Sequence, residues 1–582
     1  MQNYARANSK TKNIFTICLT IFVSVSVWGE NWPKIEYKKL PQLCDGYPQL
    51  PIGTMPNSCV GLVIDKNNTD ATTGKALKFP RKIVQIPNSE DFIVTDMGSW
   101  NPQTGAVFRL VKQPTGYALK LVFDKLNMPF DAEVGPEGYI YIGEMGRIFK
   151  FNPQASQPVI ENVITNLPTN LTVKNMHPLN SFAFLKNESA WDIVVNVGSP
   201  TDNCGKEAPG VCKNSDGPDA QAALRKYKYL GNNKWNQTYT IFARGLRNSM
   251  ALTVSPAGWV MQAENARALN SDVEPHEELN IVQEGRHYGF PYCYNFKAKV
   301  PEWSANPNVD CASKNFDKPH ILLPPRVAPL DMTYYSGKMF PELQGHLLMT
   351  WHGYKPTGNR LVAYDVDQNG WPHLSNTLAN YNVWDATQAN GKRTTDYNAA
   401  GGVLRSSQHK EIITDWFAKR GLRPNGAIVG VTEASDGAIW VVADYNNTIL
   451  RIARSAEWHP TSEESRGDLE MNSADLSAED IERIKDNVLN YPKNLRRWGY
   501  VKAGILQKHC SSCHDMNPSK KADQFAELEF LLASKWIIPS NAVQSKLYNR
   551  MSQAETATPM PPSGLLGPQD QLTIKRFIDR LK

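Results

Sequence analysis

Between about Leu40 and Ala453, short runs of apolar, β-branched and aromatic residues alternate with turns built on Gly, Asp or Asn. Six runs share one form: Asp91-Phe-Ile-Val-Thr-Asp96, Gly138-Tyr-Ile-Tyr-Ile-Gly143, Trp191-Asp-Ile-Val-Val-Asn196, Gly258-Trp-Val-Met-Gln-Ala263, Gly345-His-Leu-Leu-Met-Thr350 and Gly437-Ala-Ile-Trp-Val-Val442. Short apolar runs bounded by turn residues are strand signals. Second runs follow closely at Ala106-Val-Phe-Arg-Leu110, Arg147-Ile-Phe-Lys-Phe151, Arg360-Leu-Val-Ala-Tyr364 and Thr448-Ile-Leu-Arg-Ile452, which makes each pair a hairpin. A hairpin repeated around a fold predicts an all-β six-bladed propeller over 36–455. The spacing is widest between the later runs. The inserted loops, notably Asp365 to Lys419, are expected to frame the functional face.

The pattern then changes. Residues 456–494 are polar and acidic, with Ser477 and Asp480 suited to a capped helix start, and read as a linker with one helix. Helical periodicity follows over Trp498 to His509 and Gln524 to Ser534, with a last helix opened by Pro568 and running to Leu581. A small all-α domain is expected over 495–582. At the other end, Arg6, Lys10 and Lys12 precede an apolar run from Ile14 to Trp28, the form of a secretory signal over 1–30. The run is shorter than the ~20 residues that span a bilayer. Ser26-Val27-Trp28 matches a small-x-small cleavage site poorly, so an uncleaved anchor stays open. No later stretch is long enough to span a membrane.

Composition fits ordinary folded domains: of the 582 residues 41% are hydrophobic, 10% aromatic and 21% charged. A formal charge of +6 is modest, so nucleic acid is not an expected partner. The nine cysteines are more informative. Removing the leader removes Cys18. Cys510 and Cys513 form a motif of their own, and the remaining six fall into near neighbours: Cys44 with Cys59, Cys204 with Cys212, Cys293 with Cys311. Loop length favours these pairings among the fifteen possible connectivities. Three disulfides imply an oxidising, periplasmic compartment.

Cys510-Ser-Ser-Cys513-His514 is the attachment signature of c-type haem, with two thiols spaced for the vinyl groups and an adjacent imidazole for the iron. Met560, in the rigid Pro559-Met-Pro-Pro562 turn, is the candidate sixth ligand. Met551 is the other methionine available, but it sits in a helical run. Together with Ile538-Pro-Ser540 and Ser545-Lys-Leu-Tyr548, the segment resembles small bacterial cytochrome c domains over about eighty residues.

The propeller region carries Ala243-Arg-Gly-Leu-Arg-Asn248. This looks like the Arg-Gly-x-Arg-Asn segment of the glucose/sorbosone dehydrogenase family, soluble quinoproteins that use pyrroloquinoline quinone (PQQ), and the resemblance implies that Arg247 and Asn248 lie against the quinone. A planar, permanently charged guanidinium suits a carboxylated quinone that becomes anionic on reduction. His177, ahead of Ser181-Phe-Ala-Phe184 and Gly198-Ser-Pro200, occupies the place of the family's general base. The resemblance also implies that His352, Arg360, Arg423 and Asp444 line the cofactor. Weaker matches are Pro80-Arg81 and Glu277-Glu-Leu-Asn280. The family binds Ca²⁺ through backbone carbonyls that map to Ala266 and Arg267. A bulkier Ala and a cationic Arg where glycine is common depart from that pattern.

No Gly-rich phosphate loop, Gly-x-Ser-x-Gly elbow or His-Glu-x-x-His helix occurs, so nicotinamide, serine-hydrolase and zincin chemistry lack sequence support. The expectation is a quinohaemoprotein oxidoreductase: a sugar or related alcohol or aldehyde is oxidised at the quinone, and electrons pass to the haem and on to a downstream protein or oxidase. A lactonase-like hydrolase and a non-catalytic binding propeller are the alternatives.

Overall fold

The computed structural model describes residues 39–171, 175–187, 190–267, 275–295, 298–353, 358–374, 409–415, 427–455, 498, 501–506, 528–552 and 566–581. The leader, the linker 456–494, Arg423, Cys510, Cys513, His514 and Met560 lie outside them.

Six antiparallel blades follow in order. Blade 1 is Pro80–Gln85, Phe92–Asp96, Gly105–Lys112 and Tyr117–Leu126. Blade 2 is Asp131–Val134, Ile140–Glu144, Arg147–Phe151 and Glu161–Ile164. Blade 3 is Phe182–Asn187, Ala190–Val197, Ala223–Tyr227 and Thr240–Arg244, with Arg286–His287 added in parallel. Blade 4 is Ala251–Val254, Val260–Ala263, Glu277–Val282 and Ile321–Leu323. Blade 5 is Pro329–Tyr334, Leu347–Trp351, Arg360–Tyr364 and His409–Asp415. Blade 6 is Ile428–Glu433, Ile439–Ala443 and Thr448–Arg454, completed by the N-terminal strand Ser58–Ile64.

That last pairing closes the ring. Every residue of Ser58–Ile64 is buried, and the preceding Gly53–Thr54 pairs with His409–Asp415 of blade 5, so one N-terminal stretch stitches two blades and covers edges that would otherwise stay open. The disulfide Cys44–Cys59 ties this strand to the hairpin ahead of it. All three neighbour disulfides form, the others being Cys204–Cys212 and Cys293–Cys311.

The six apolar runs are the second strands of the six blades, and the four follow-on runs are the third strands of blades 1, 2, 5 and 6. The turn that leads into the second strand repeats physically. In blades 2, 4 and 6 the Gly138, Gly258 and Gly437 amides bond the carbonyls of Gly135, Ser255 and Ala434, each glycine at a φ of +83° to +90° that a side chain disfavours. Between blades the second strands pack aromatic faces, as where Phe92 stacks on Trp440 at 4.2 Å.

The inner strands of blades 1 and 2 carry charge because they face a polar channel. Lys82 of blade 1 reaches Asp331 of blade 5 at 2.6 Å, with Glu133 at 3.4 Å and Asp131 at 3.7 Å. Asp131 also accepts the Phe182 amide, and Asp331 the Val431 amide, so each carboxylate ties neighbouring blades together. Removing Lys82, the one cation facing these three carboxylates among the described residues, would leave them uncompensated, at about 3–5 kcal/mol.

In the C-terminal segment, Leu528–Ala533, Lys546–Ser552 and Pro568–Asp579 are helical and share a core with Trp498, Val501, Ile505 and Leu506. The Ile538 amide bonds the Ser545 hydroxyl, and the Ser540 amide bonds the Ile578 carbonyl, so the turn before Lys546–Ser552 is fastened to the last helix. Among the described residues no helix is long and apolar enough to cross a membrane.

Candidate functional site

One end of the propeller collects the residues that precede each inner strand and those that follow each second strand. An acid recurs at the end of the second strand, at Asp96, Glu144, Glu264 and Asp444. The first three pin the chain that enters an inner strand. Asp96 accepts the Lys78 and Phe79 amides, Glu144 the Asn127 amide, and Glu264 the Asn248 amide. Asp444 accepts instead from the Arg81 guanidinium at 2.6 Å and faces His352 Nε2 at 3.1 Å.

Beneath this face lies an apolar plug with a contribution from every blade: Met97, Phe130, Leu179, Met250, Leu330 and Val429 are among its buried side chains. The candidate residues rise from it. His177 Nδ1 lies 2.5 Å from the Ser199 carbonyl. A carbonyl only accepts, so Nδ1 carries the hydrogen and Nε2 keeps its lone pair. The Ser199 amide donates to the Arg247 carbonyl. Arg247 in turn bonds Asp202 through Nε and Nη2 and the Asn265 carbonyl through Nη1 at 2.7 Å. The Asn265 amide returns to the Asn248 carbonyl, and its side chain reaches Pro329 in blade 5. The His352 amide bonds the Ala328 carbonyl, and His352 leads through Asp444 to Arg81. His177, Arg247, Asn248, His352 and Asp444 thus belong to one arc through blades 3 to 6 and back to blade 1.

Close packing fixes the centre of the arc. A Cβ on Gly198 would stand 2.5 Å from His177 Cβ and 3.2 Å from Asn248 Oδ1. That Oδ1 is itself buried without a hydrogen-bond partner. A buried amide oxygen left unpaired is costly, and such groups concentrate where a ligand completes them. Burial first, and then the Arg247 charge, hold the His177 imidazole far below its usual range, at about 3, so the ring is neutral.

Arg360 is placed differently. It lies opposite Trp351 in the blade 5 ladder and turns to Glu411 at 3.1 Å and the Gly358 carbonyl, within its own blade. The turn proposed for calcium is crowded by cations. The Asn265 carbonyl accepts from Arg247 and the Arg267 carbonyl from Arg326 at 3.3 Å, while the Arg267 side chain is paired with Glu302. The Ala266 amide donates to Glu277 at 2.5 Å, and burial raises the Glu277 carboxyl to about 8 and that of Glu264 to about 7. Hard oxygens are therefore present for a cation, but two of the backbone carbonyls already face guanidinium groups.

A second set has the composition of a hydrolytic triad and does not act as one. His287 Nε2 approaches Ser215 Oγ at 3.1 Å and Asp216 at 3.0 Å. His287 Nδ1 accepts the Gly289 amide, so Nε2 bears the hydrogen and the ring has no lone pair to offer Ser215. The Ser215 hydroxyl donates to the Phe290 carbonyl, and the set clamps two loops together.

Asp444 was indicated by family likeness, whereas Asp202, Arg326 and the pinning role of Asp96, Glu144 and Glu264 were passed over. These three acids had a signal, since three of the six apolar runs end on or just before one. Asp202 and Arg326 sit in loops without pattern.

Residues 229–378 match the family model described as Glucose / Sorbosone dehydrogenase. An uncharacterized protein of Borreliella burgdorferi is 25% identical over 229 residues, which are 37% of this chain and 52% of that protein, so the chain spans about half the length of this relative. Among solved structures, a Trichoderma reesei protein of Carbohydrate-Active Enzymes Family AA12 is similar with a TM-score of 0.52 at 17% identity, over 72% of this chain and 100% of that one. The PQQ domain of Pyranose Dehydrogenase from Coprinopsis cinerea is similar with a TM-score of 0.50 at 18% identity, over 71% of this chain and 99% of that one. At these identities the two structures establish the propeller fold.

Proposed function

We propose that the chain is an exported quinohaemoprotein oxidoreductase that oxidises a sugar or related alcohol or aldehyde at the arc around His177. The observation that carries the reading is the constellation itself. A neutral imidazole with a free Nε2, a guanidinium and an unpartnered carboxamide converge on one propeller end, in a chain whose middle matches the glucose/sorbosone dehydrogenase model. The Coprinopsis cinerea neighbour is a PQQ domain, which supports the same cofactor.

PQQ, when bound, supplies a two-electron acceptor. Arg247 and Asn248 are the residues that would hold it: the guanidinium balances carboxylate charge and the carboxamide gains the partner its oxygen lacks. His177 takes the proton of the substrate hydroxyl at Nε2, held in that tautomer by the Ser199 carbonyl. A base whose conjugate acid sits near 3 is weak. Burial is the larger cause and the Arg247 charge the second, so anionic groups set against Arg247 offset only that second part and move the imidazole upward. Asp202 keeps Arg247 oriented. Ca²⁺ belongs to this reading as a cation near Ala266 and Arg267, and no step here depends on it.

Cys510 and Cys513 would hold a haem, His514 and Met560 would ligate its iron, and the group would supply one-electron transfer to a downstream partner. Tethering it to the propeller raises its effective concentration to the mM range for a short linker. Export follows from c-type haem together with three disulfides. The test is kinetic: reconstitute the full chain with PQQ and Ca²⁺, and follow oxidation of aldoses and alcohols with a dye acceptor. Turnover that requires PQQ is expected, and PQQ-independent inertness toward every substrate would sink the reading.

A further inference from the structure

The loop between the second and third strands of blade 1 has no part in the arc, yet it belongs to the same ring of loops. It presents Trp100 with 46% of its surface exposed. A lone exposed apolar residue is ordinary, but this loop is built to hold its tryptophan out. The Gly98 amide bonds buried Asp96, and the Ser99 amide bonds the Met97 carbonyl. Ser99 and Thr104 join through their hydroxyls, and Thr104 Oγ1 donates to the Asn101 carbonyl. Gly98 has a φ of +69° and no room for a Cβ, which would meet the Thr104 carbonyl oxygen at 2.0 Å. The ends of the loop are cinched, and Trp100 stands at its tip.

Placement gives the tip a purpose. Trp100 meets Phe79 edge-on at 6.4 Å, and Phe79 lies 4.9 Å from the Arg81 guanidinium that ends the arc at Asp444. Met97, three residues before Trp100, and Leu179, two residues after His177, share the apolar plug, so the segments that carry Trp100 and His177 are anchored on one floor. The indole N–H has no hydrogen-bond partner among the described residues. An open aromatic face with a free donor beside it matches the chemistry of a sugar ring, which is apolar on its C–H face and hydroxylated at its rim.

Resting on the sugar-oxidation reading, we infer that Trp100 is a saccharide subsite outside the reacting position, and that the substrate extends beyond one sugar ring. The reacting sugar sits at His177 and a further ring lies against Trp100.

Titration calorimetry on the full chain tests this, with glucose and with β-1,4- and α-1,4-linked glucose tetramers as probes, for wild type, Trp100→Ala and Trp100→Phe. Glucose oxidation with a dye acceptor is run in parallel. At least one tetramer is expected to bind more tightly than glucose. Trp100→Ala should weaken that tetramer about tenfold, the size of one aromatic contact. Trp100→Phe should keep most of the affinity, and glucose oxidation should be unchanged in both. Neither tetramer exceeding glucose, or equal tetramer affinity in wild type and Trp100→Ala, overturns the subsite even if glucose is oxidised. Conversely, loss of tetramer affinity in Trp100→Ala without oxidation of any sugar supports the subsite and removes the oxidation reading.

Discussion

Substituting Gly198→Ala puts the proposed base under direct mechanical load. The added methyl would lie 2.5 Å from His177 Cβ, 3.0 Å from the His177 carbonyl and 3.2 Å from Asn248 Oδ1. Carbon atoms rest at about 3.5–4.0 Å, so the His177 backbone or the strand end must retreat by roughly 1 Å. Retreat is opposed on both sides, because His177 Nδ1 bonds the Ser199 carbonyl and the Met176 amide bonds Pro200. A misplacement of about 1 Å at a catalytic group costs on the order of 10²-fold in rate. Overpacking of this kind costs about 1–3 kcal/mol of stability. Steady-state kinetics of the PQQ-loaded chain with a dye acceptor, beside a thermal melt, should therefore show kcat/KM down about a hundredfold and Tm lower by a few degrees. A variant with kcat/KM within threefold of wild type and an unchanged melt would refute the placement of His177 against Gly198, and with it the base assignment.

Three further outcomes are expected. The His177 imidazole should titrate near 3 in the free protein by NMR, and Arg247→Gln should raise it because a nearby positive charge is removed; a downward or absent shift would break the proposed coupling. Glu133, in the channel with Lys82, Asp131 and Asp331, is raised by burial to about 7, above its unfolded value of 4.5, so the fold favours its neutral form. Its contribution is present below pH 4.5 and is lost as pH rises through 7. Glu133→Gln should thus melt above wild type at pH 8 and not at pH 4.5, and equal gains at both would contradict the linkage. Met560→Ala should change the haem spectrum and potential, whereas an unchanged spectrum would assign the sixth ligand elsewhere.

The propeller was legible because its second strands are sandwiched between neighbouring blades and must be apolar on both faces, as Phe92–Asp96 and Ile439–Ala443 are. The inner strands of blades 1 and 2 break the apolar pattern because the channel needs charge there: Pro80–Gln85 carries Arg81 and Lys82, each held by acids from other blades. Blade closure by Ser58–Ile64 was hidden for another reason, since its partner strand lies almost 400 residues away in sequence and periodicity carries no such information. At the site, His177, Arg247 and Asn248 were named through family likeness. Their coupling was not, because it runs through backbone groups of Ser199 and Asn265 that any residue supplies.

The central claim is that electrons from a substrate at the propeller reach the chain's own haem. Its most direct test is the haem absorbance of the full chain under anaerobic conditions, with PQQ and a sugar added separately and together. The reduced haem spectrum should appear only with both present, and should fail to appear in His177→Ala. Reduction by sugar without PQQ, or a haem that stays oxidised while the PQQ-loaded chain passes electrons from sugar to a dye, would contradict the account.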